Sequence, residues 1–279
     1  MSLTIAEALR QAGGTIATRE ARALLGTVLG RVQAYLIAHA DETLTADRQR
    51  AFEQLAARRA AGEPIAYLTG EREFYSLSFK VTSAVLIPRP ETELLVELAL
   101  ERIPPEAGAR VLDLGTGSGC VAVAIARERP RAEVVAVDAS AEAVALAREN
   151  TGRHVARNVT VQRGDWFAAV AGQRFDVIVA NPPYVAEGDP HLAQGDLRFE
   201  PRRALVAGPD GFECIEAIIA ASRGHLVPGG WLVFEHGHNQ AGRCRALLTD
   251  NGYTGVFCAR DLAGIERVSG GKVLDRDTR

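Results

Sequence analysis

Between residues 4 and 62 the apolar positions fall three and four apart. Ile5, Ala8, Leu9 and Ala12 would line one face of a helix, the spacing of a 3.6-residue turn. Thr4 stands before them with Glu7 three residues on, a capping-box pattern in which each side chain accepts the other's backbone N–H. Gly13-Gly14 ends that helix, and Ala21, Leu24, Leu25, Val28 and Leu29 mark a second one capped by Thr18. A short helix is expected over residues 33–38, and a long one over 46–61 with Phe52, Leu55 and Ala56 inward. Strand signal is nearly absent, so residues 1–63 are expected to form a small helical domain.

The texture changes at residue 64, where Tyr67, Phe74, Tyr75, Phe79, Val81 and Val85 are spaced as in short strands or a hairpin. Residues 64–90 therefore read as a β-hairpin linker. A helix over 91–102 follows, and then strand-like runs at 110–114, 133–137, 159–163, 175–180, 231–235 and 253–259. Helical runs at 118–128, 141–150, 211–225 and 240–250 separate most of them. That alternation implies a parallel sheet with helices on both faces, an α/β domain over residues 91–279.

Composition narrows the classes. With 279 residues and 47% hydrophobic content the chain can bury a core, and a charge of -3 with a pI near 6.1 disfavours a protein that coats nucleic acid. Arg58-Arg59 and Arg202-Arg203 come nearest to basic clusters and read as solvated faces. No stretch approaches the ~20 apolar residues of a membrane span and the first residues lack an apolar signal region, so a cytoplasmic protein with no membrane partner is expected. Cys120, Cys214, Cys244 and Cys258 are scattered, which suits reduced thiols and no metal site.

The first strand runs through Val111-Leu112-Asp113-Leu114 into Gly115-Thr116-Gly117-Ser118-Gly119-Cys120. Glycines at such a turn let the backbone pass close to a ligand, and the following helix offers free N–H groups at its start. Nineteen residues past Gly119 the next strand ends in Asp138, placed to accept both hydroxyls of an adenosine ribose. A nicotinamide dinucleotide wants a third glycine where Cys120 stands. The Gly-x-Gly-x-Gly spacing, with Asp113 two places before it, instead favours S-adenosyl-L-methionine, which has a cationic amino group and no pyrophosphate. Gly164-Asp165-Trp166 ends the third strand. There Trp166 either covers an adenine whose amino edge meets Asp165, or is partly buried core.

The strand Phe175-Asp176-Val177-Ile178-Val179-Ala180 runs into Asn181-Pro182-Pro183-Tyr184. The prolines stiffen the chain, and Pro182 restricts Asn181 to an extended shape. A planar NH2 group carries two donors, which the Asn181 side-chain oxygen and the Pro182 carbonyl can accept while Tyr184 stacks on its plane. With both hydrogens fixed, the nitrogen's π-face points at a sulfonium methyl. No base need act first, since positioning supplies up to ~7–11 kcal/mol and a preorganised polar contact ~3–4 kcal/mol. A glycine turn, an acid and this tetrapeptide at one sheet edge together imply a methyltransferase acting on an amide or amino nitrogen.

These motifs resemble those of the HemK/PrmC family of protein-glutamine N5-methyltransferases. The resemblance extends to Leu86-Ile87-Pro88-Arg89-Pro90-Glu91-Thr92-Glu93, Asp196-Leu197-Arg198-Phe199-Glu200-Pro201 and Glu235-His236-Gly237, and to the helical N-terminal domain, so it covers nearly the whole chain. It implies a Rossmann-like class I methyltransferase fold with a small N-terminal helical domain, and methylation of the Gly-Gly-Gln glutamine of bacterial class 1 peptide chain release factors. By position, Gly115, Thr116, Gly117, Ser118, Gly119, Asp138, Trp166 and Asn181 would contact the cofactor. Asn181, Pro182, Pro183 and Tyr184 would hold the glutamine, Arg89 and Glu91 would line the same pocket, and the helical domain would dock the release factor. A monomer without direct nucleic-acid contact is expected. The rival readings are a DNA adenine-N6 or RNA guanine-N2 methyltransferase, since the tetrapeptide suits any planar amine, and a cofactor-binding adaptor without catalysis.

Overall fold

The computed structural model describes residues 2–274, so the last five positions of the expected 91–279 domain lie outside the described residues. The chain divides into two compact units: one runs to Glu71 and takes in His191–Phe199, the other comprises Arg72–Pro190 and the chain from Glu200 onward.

In the first unit α1 (Ile5–Ala12), α2 (Thr18–Leu29), α3 (Gln33–Ala38), α4 (Ala46–Ala60) and α5 (Ile65–Thr69) close around Ile5, Leu24, Leu25, Leu36 and Phe52. The capping box of α1 forms: Thr4 Oγ1 accepts the Glu7 N–H at 3.2 Å, and the Glu7 carboxylate accepts the Thr4 N–H at 2.8 Å. Thr18 does not cap α2. Ala17 holds that position with no side-chain bond, and Thr18 is the first helical residue. Residues 65–69, expected as strand or hairpin from their aromatic texture, are helical. Pro64 precedes α5 where a missing N–H costs nothing, Gly70 stops it in the left-handed region (φ 77°), and Ala66 and Leu68 are buried.

Only β1 (Glu71–Phe74) and β2 (Leu77–Lys80) form the two-stranded sheet that follows. The main sheet of the second unit comprises β3 (Arg110–Leu114), β4 (Glu133–Asp138), β5 (Val159–Arg163), β6 (Phe175–Ala180), β7 (Leu226–Glu235), β8 (Thr254–Arg260) and β9 (Glu266–Lys272). Their order is β5-β4-β3-β6-β7-β9-β8. The first five are parallel, while β9 lies antiparallel between β7 and β8. Strand β9 was not expected from the sequence. Gly270 and Gly271 weaken its pattern, and they are required there: a Cβ on Gly270 would stand 2.5 Å from the Leu232 carbonyl oxygen.

Strand alternation sorts the two faces. Val111, Val134 and Val177 pack with α6 (Glu93–Glu101), α7 (Cys120–Glu128) and α8 (Ala141–Arg153), where Phe74 and Phe79 of the small hairpin join them. Leu112, Val135 and Ile178 pack on the other face with α9 (Glu213–Ser222) and α10 (Ala241–Asp250). The chain winds outward from β3 through β4 to β5, then returns to β6 on the opposite side. That reversal opens a crevice at the carboxyl edge between β3 and β6, where α/β sheets bind ligands.

Candidate active site

Strand register brings the motifs together. Leu114 pairs with Val137 on one side and with Ala180 on the other, so Gly115 lies between Asp138 and Asn181. Asp138 pairs with Arg163, which places Gly164-Asp165-Trp166 one strand further out. Ala180 pairs with Phe234, so Glu235 comes beside Asn181. These ends surround a cavity of about 280 Å³.

The glycine turn is tied to its neighbours through the backbone. Gly115 and Thr116 both donate to the Val137 carbonyl, and Gly117 N–H donates to Asp138 Oδ2 at 2.9 Å. Ser140 N–H reaches the other oxygen, Asp138 Oδ1, at 2.9 Å. Beneath the turn Asp113 is fully buried, and that burial pushes its carboxyl up to about 6 even though the Thr116 hydroxyl donates to it at 2.6 Å. Trp166 adopts a positive φ of 44°, and a Cβ on Gly115 would lie 3.7 Å from its indole ring. The ring therefore borders the path of the turn.

Asn181 is held by a chain of hydrogen bonds. Its Nδ2 donates to Thr92 Oγ1 at 3.0 Å, and the Thr92 hydroxyl donates to Glu235 Oε2 at 2.7 Å. The Tyr184 hydroxyl donates to the other oxygen of the same carboxylate at 3.2 Å. Burial raises the pKa of Glu235, against the opposing effect of these hydroxyls and of the Arg267 charge. Burial, then the Glu235 charge, also raises Tyr184, which stays a phenol. Asn181 Oδ1 is buried and has no partner. Behind the tetrapeptide, Gln240 donates to the carbonyls of Tyr184 and Gly211 and accepts from Gly237 N–H.

The cavity's near wall comes from the segment before α6. Buried Glu200 accepts the Ile87 N–H at 3.1 Å and pairs with Arg89 at 2.5 Å. It thereby fixes the backbone that presents Pro88, Arg89 and Thr92 to the cavity.

The family description methyltransferase small domain matches residues 91–198, and PrmC N-terminal domain matches residues 4–70. The release factor glutamine methyltransferase of Bordetella pertussis is 53% identical over 253 residues, covering 90% of this chain and 93% of that protein. This chain belongs to the release factor glutamine methyltransferase family. Another member, from Burkholderia pseudomallei, is 49% identical over 276 residues, 97% of this chain and 96% of its own. A solved methyltransferase from Pyrococcus furiosus shares the fold, with a TM-score of 0.53, 20% identity, and coverage of 80% of this chain and 99% of that one.

Of the residues assigned from the family resemblance, Arg89, Gly115, Thr116, Gly117, Ser118, Asp138, Trp166, Asn181 and Pro183 line the cavity. Gly119, Glu91, Pro182 and Tyr184 are not among its lining residues. Gly119 faces α8, where a Cβ would come within 3.2 Å of the Ala147 Cβ, so its glycine serves helix packing as well as a φ of 82°. Glu91 is exposed on the short turn Pro90–Thr92, whose inward residue is Thr92. Pro182 is buried, and Tyr184 is reached through Glu235. Thr92 and Glu235 stand in the sequence only within longer motifs; a Thr two residues after a Pro and a Glu ending a strand carry no separate signal. Asp165 also lines the cavity, and so does Asp113, whose place before the glycines did signal a charge.

Proposed function

We propose that this chain transfers a methyl group from S-adenosyl-L-methionine to N5 of the glutamine in the Gly-Gly-Gln motif of bacterial class 1 release factors. Family membership supports the reaction, and one observation carries the site: Asn181 Oδ1 is a buried, unpartnered acceptor on a residue that lines the cavity. A buried acceptor without a partner costs roughly 1–3 kcal/mol, a cost that an incoming N–H removes.

The residues present fit the methyl donor. Asp138 accepts one backbone N–H at each oxygen. A carboxylate oxygen has a second lone pair, which leaves capacity for two ribose hydroxyls. Trp166 and Asp165 would border the adenine, the turn from Gly115 to Ser118 would take the amino-acid part, and the buried Asp113 carboxylate would offset its cationic amino group. When bound, the donor supplies a methyl group on a positively charged sulfur.

The chain's own contribution is orientation. Asn181 Oδ1 accepts one hydrogen of the glutamine NH2 and the Pro182 carbonyl accepts the other, so the nitrogen's π-face is held towards the donor. Both oxygens of Glu235 accept hydroxyl hydrogens, from Thr92 and Tyr184, and so hold the tetrapeptide in place. Accepting the amide's hydrogen bonds favours positive charge on nitrogen as the new bond forms, and the methylated nitrogen then loses a proton to water.

The helical unit would dock the release factor, with the enzyme acting as a monomer in the cytoplasm. No helix among the described residues is long and apolar enough to cross a membrane. Mass spectrometry of a Gly-Gly-Gln release-factor peptide, incubated with enzyme and donor, is expected to show one added methyl on the glutamine side chain. Methyl incorporation into DNA adenine in place of that peptide would overturn the substrate assignment.

A further inference from the structure

An asparagine amide can sit either way round in a site, and only one orientation offers an acceptor to a substrate NH2 group. The surroundings of Asn181 select that orientation. The Thr92 hydroxyl hydrogen points at Glu235 Oε2, 2.7 Å away, and that carboxyl oxygen accepts it. Thr92 Oγ1 then has only lone pairs left for Asn181, and the group it meets at 3.0 Å is Nδ2, a donor. With Nδ2 committed to Thr92, Oδ1 is left without a protein partner. We propose that Thr92 and Glu235 are positioning residues, a one-directional hydrogen-bond relay that locks Asn181 as an acceptor for the substrate amine. This deepens the proposed function and rests on it only for the identity of the amine.

The relay has a second arm. The other oxygen of Glu235 accepts from the Tyr184 hydroxyl, so one carboxylate references both ends of the tetrapeptide. Replacing it by Gln breaks that symmetry, because two hydroxyl donors then face one oxygen and one NH2 group. If the NH2 group turns to Thr92, the Thr92 hydroxyl reverses and Asn181 follows, presenting Nδ2 to the substrate. A donor would then face a donor.

Thr92→Val keeps the shape of the side chain but loses the hydroxyl, and Thr92→Ser keeps the hydroxyl. Single-turnover and steady-state transfer, donor Kd and thermal midpoint would be measured for both and for Glu235→Gln. Thr92→Val is expected to lower kcat on the order of 100-fold, the effect of losing one preorganised polar contact, with donor Kd nearly unchanged. Thr92→Ser is expected to restore most of the rate, and Glu235→Gln to lower kcat while the protein still binds donor. A purely structural role predicts instead that Ser, which creates a small void, loses as much as Val, and that result would overturn the proposal. So would wild-type kcat in Thr92→Val, or a loss confined to KM. If Thr92→Val fails to fold, the contrast between Thr92→Ser and Glu235→Gln decides by the same criteria. Should wild-type protein ignore the glutamine peptide but methylate another planar amine, the substrate reading fails, and the relay is judged on that amine.

Discussion

The helical unit and the sheet unit differ in what they bury. Among the described residues, the helical unit encloses only apolar side chains such as Ile5, Leu24, Leu36 and Phe52, while every buried polar or charged side chain, from Thr92 and Asp113 to Glu235 and Ser269, belongs to the sheet unit. Some polar groups of the helices are met locally, as in the Thr4 and Glu7 cap. In the sheet unit several buried ones are met at long range: Asn150 by itself joins the backbones of Lys80 and Ser118. A buried polar group left unpaired costs roughly 1–3 kcal/mol, so such partnerships are exacting. Several of the buried polar residues, Thr92, Asp113, Thr116 and Ser118 among them, line the cavity at the carboxyl edge of the sheet. The helical unit is held together by shape and apolar area.

The largest expected effect tests the polar side of this contrast. Asn181→Ala removes the one buried side-chain acceptor without a partner among the described residues, and transfer should fall about 1,000-fold, or about 4 kcal/mol, while thermal midpoint and most donor affinity persist. Full activity in that variant, measured by methyl incorporation, would remove Asn181 from the mechanism. The apolar side is tested by Phe52→Ala. Emptying that position in the helical core should cost about 3–4 kcal/mol, seen as earlier unfolding of the helical unit in denaturant. Donor binding to the sheet unit should hold in a calorimetric titration; a parallel collapse would show that the two units do not stand separately.

The same contrast explains what was legible in the sequence. Helix periodicity and strand-turn-helix punctuation are local, so α1, α2 and α4 and the ends of β3, β4, β5 and β6 could be read in advance. Asn181 and Asp138 stand out in the sequence because one directly follows β6 and the other ends β4. Thr92 and Glu235 lie 143 residues apart, and their pairing arises only when β7 takes its register beside β6. No local pattern carries that. Gly119 shows a different limit: glycine spacing cannot distinguish close approach to a ligand from close approach to Ala147 of α8. Strand β9 was hidden because Gly270 and Gly271, which its packing demands, dilute the strand signal.

Gly119→Ala separates those two uses of glycine. Its positive φ and the nearby Ala147 should together cost about 2 kcal/mol of stability, read as a lower thermal midpoint with or without donor. A loss of donor affinity without a loss of stability would return Gly119 to the binding surface.

The smallest effect concerns Asp113, the most deeply buried charge beneath the glycine turn. Burial raises its folded pKa from 3.8 to about 6, so the folded protein holds this proton more tightly than the unfolded chain. In the absence of donor, this group adds stability as pH falls from about 6 towards 4 and loses that contribution as pH rises through 6. Donor binding should run the opposite way, because a proton on Asp113 cancels the charge that meets the donor's ammonium group. Titration should find affinity about tenfold weaker at pH 5 than at pH 7, or about 1.4 kcal/mol. Asp113→Asn should bind weakly at both pH values, with a flat profile between them. A wild-type profile equally flat would mean that the buried carboxylate holds the turn through Thr116 and does not attract the donor, making it a scaffold like the groups of the helical unit.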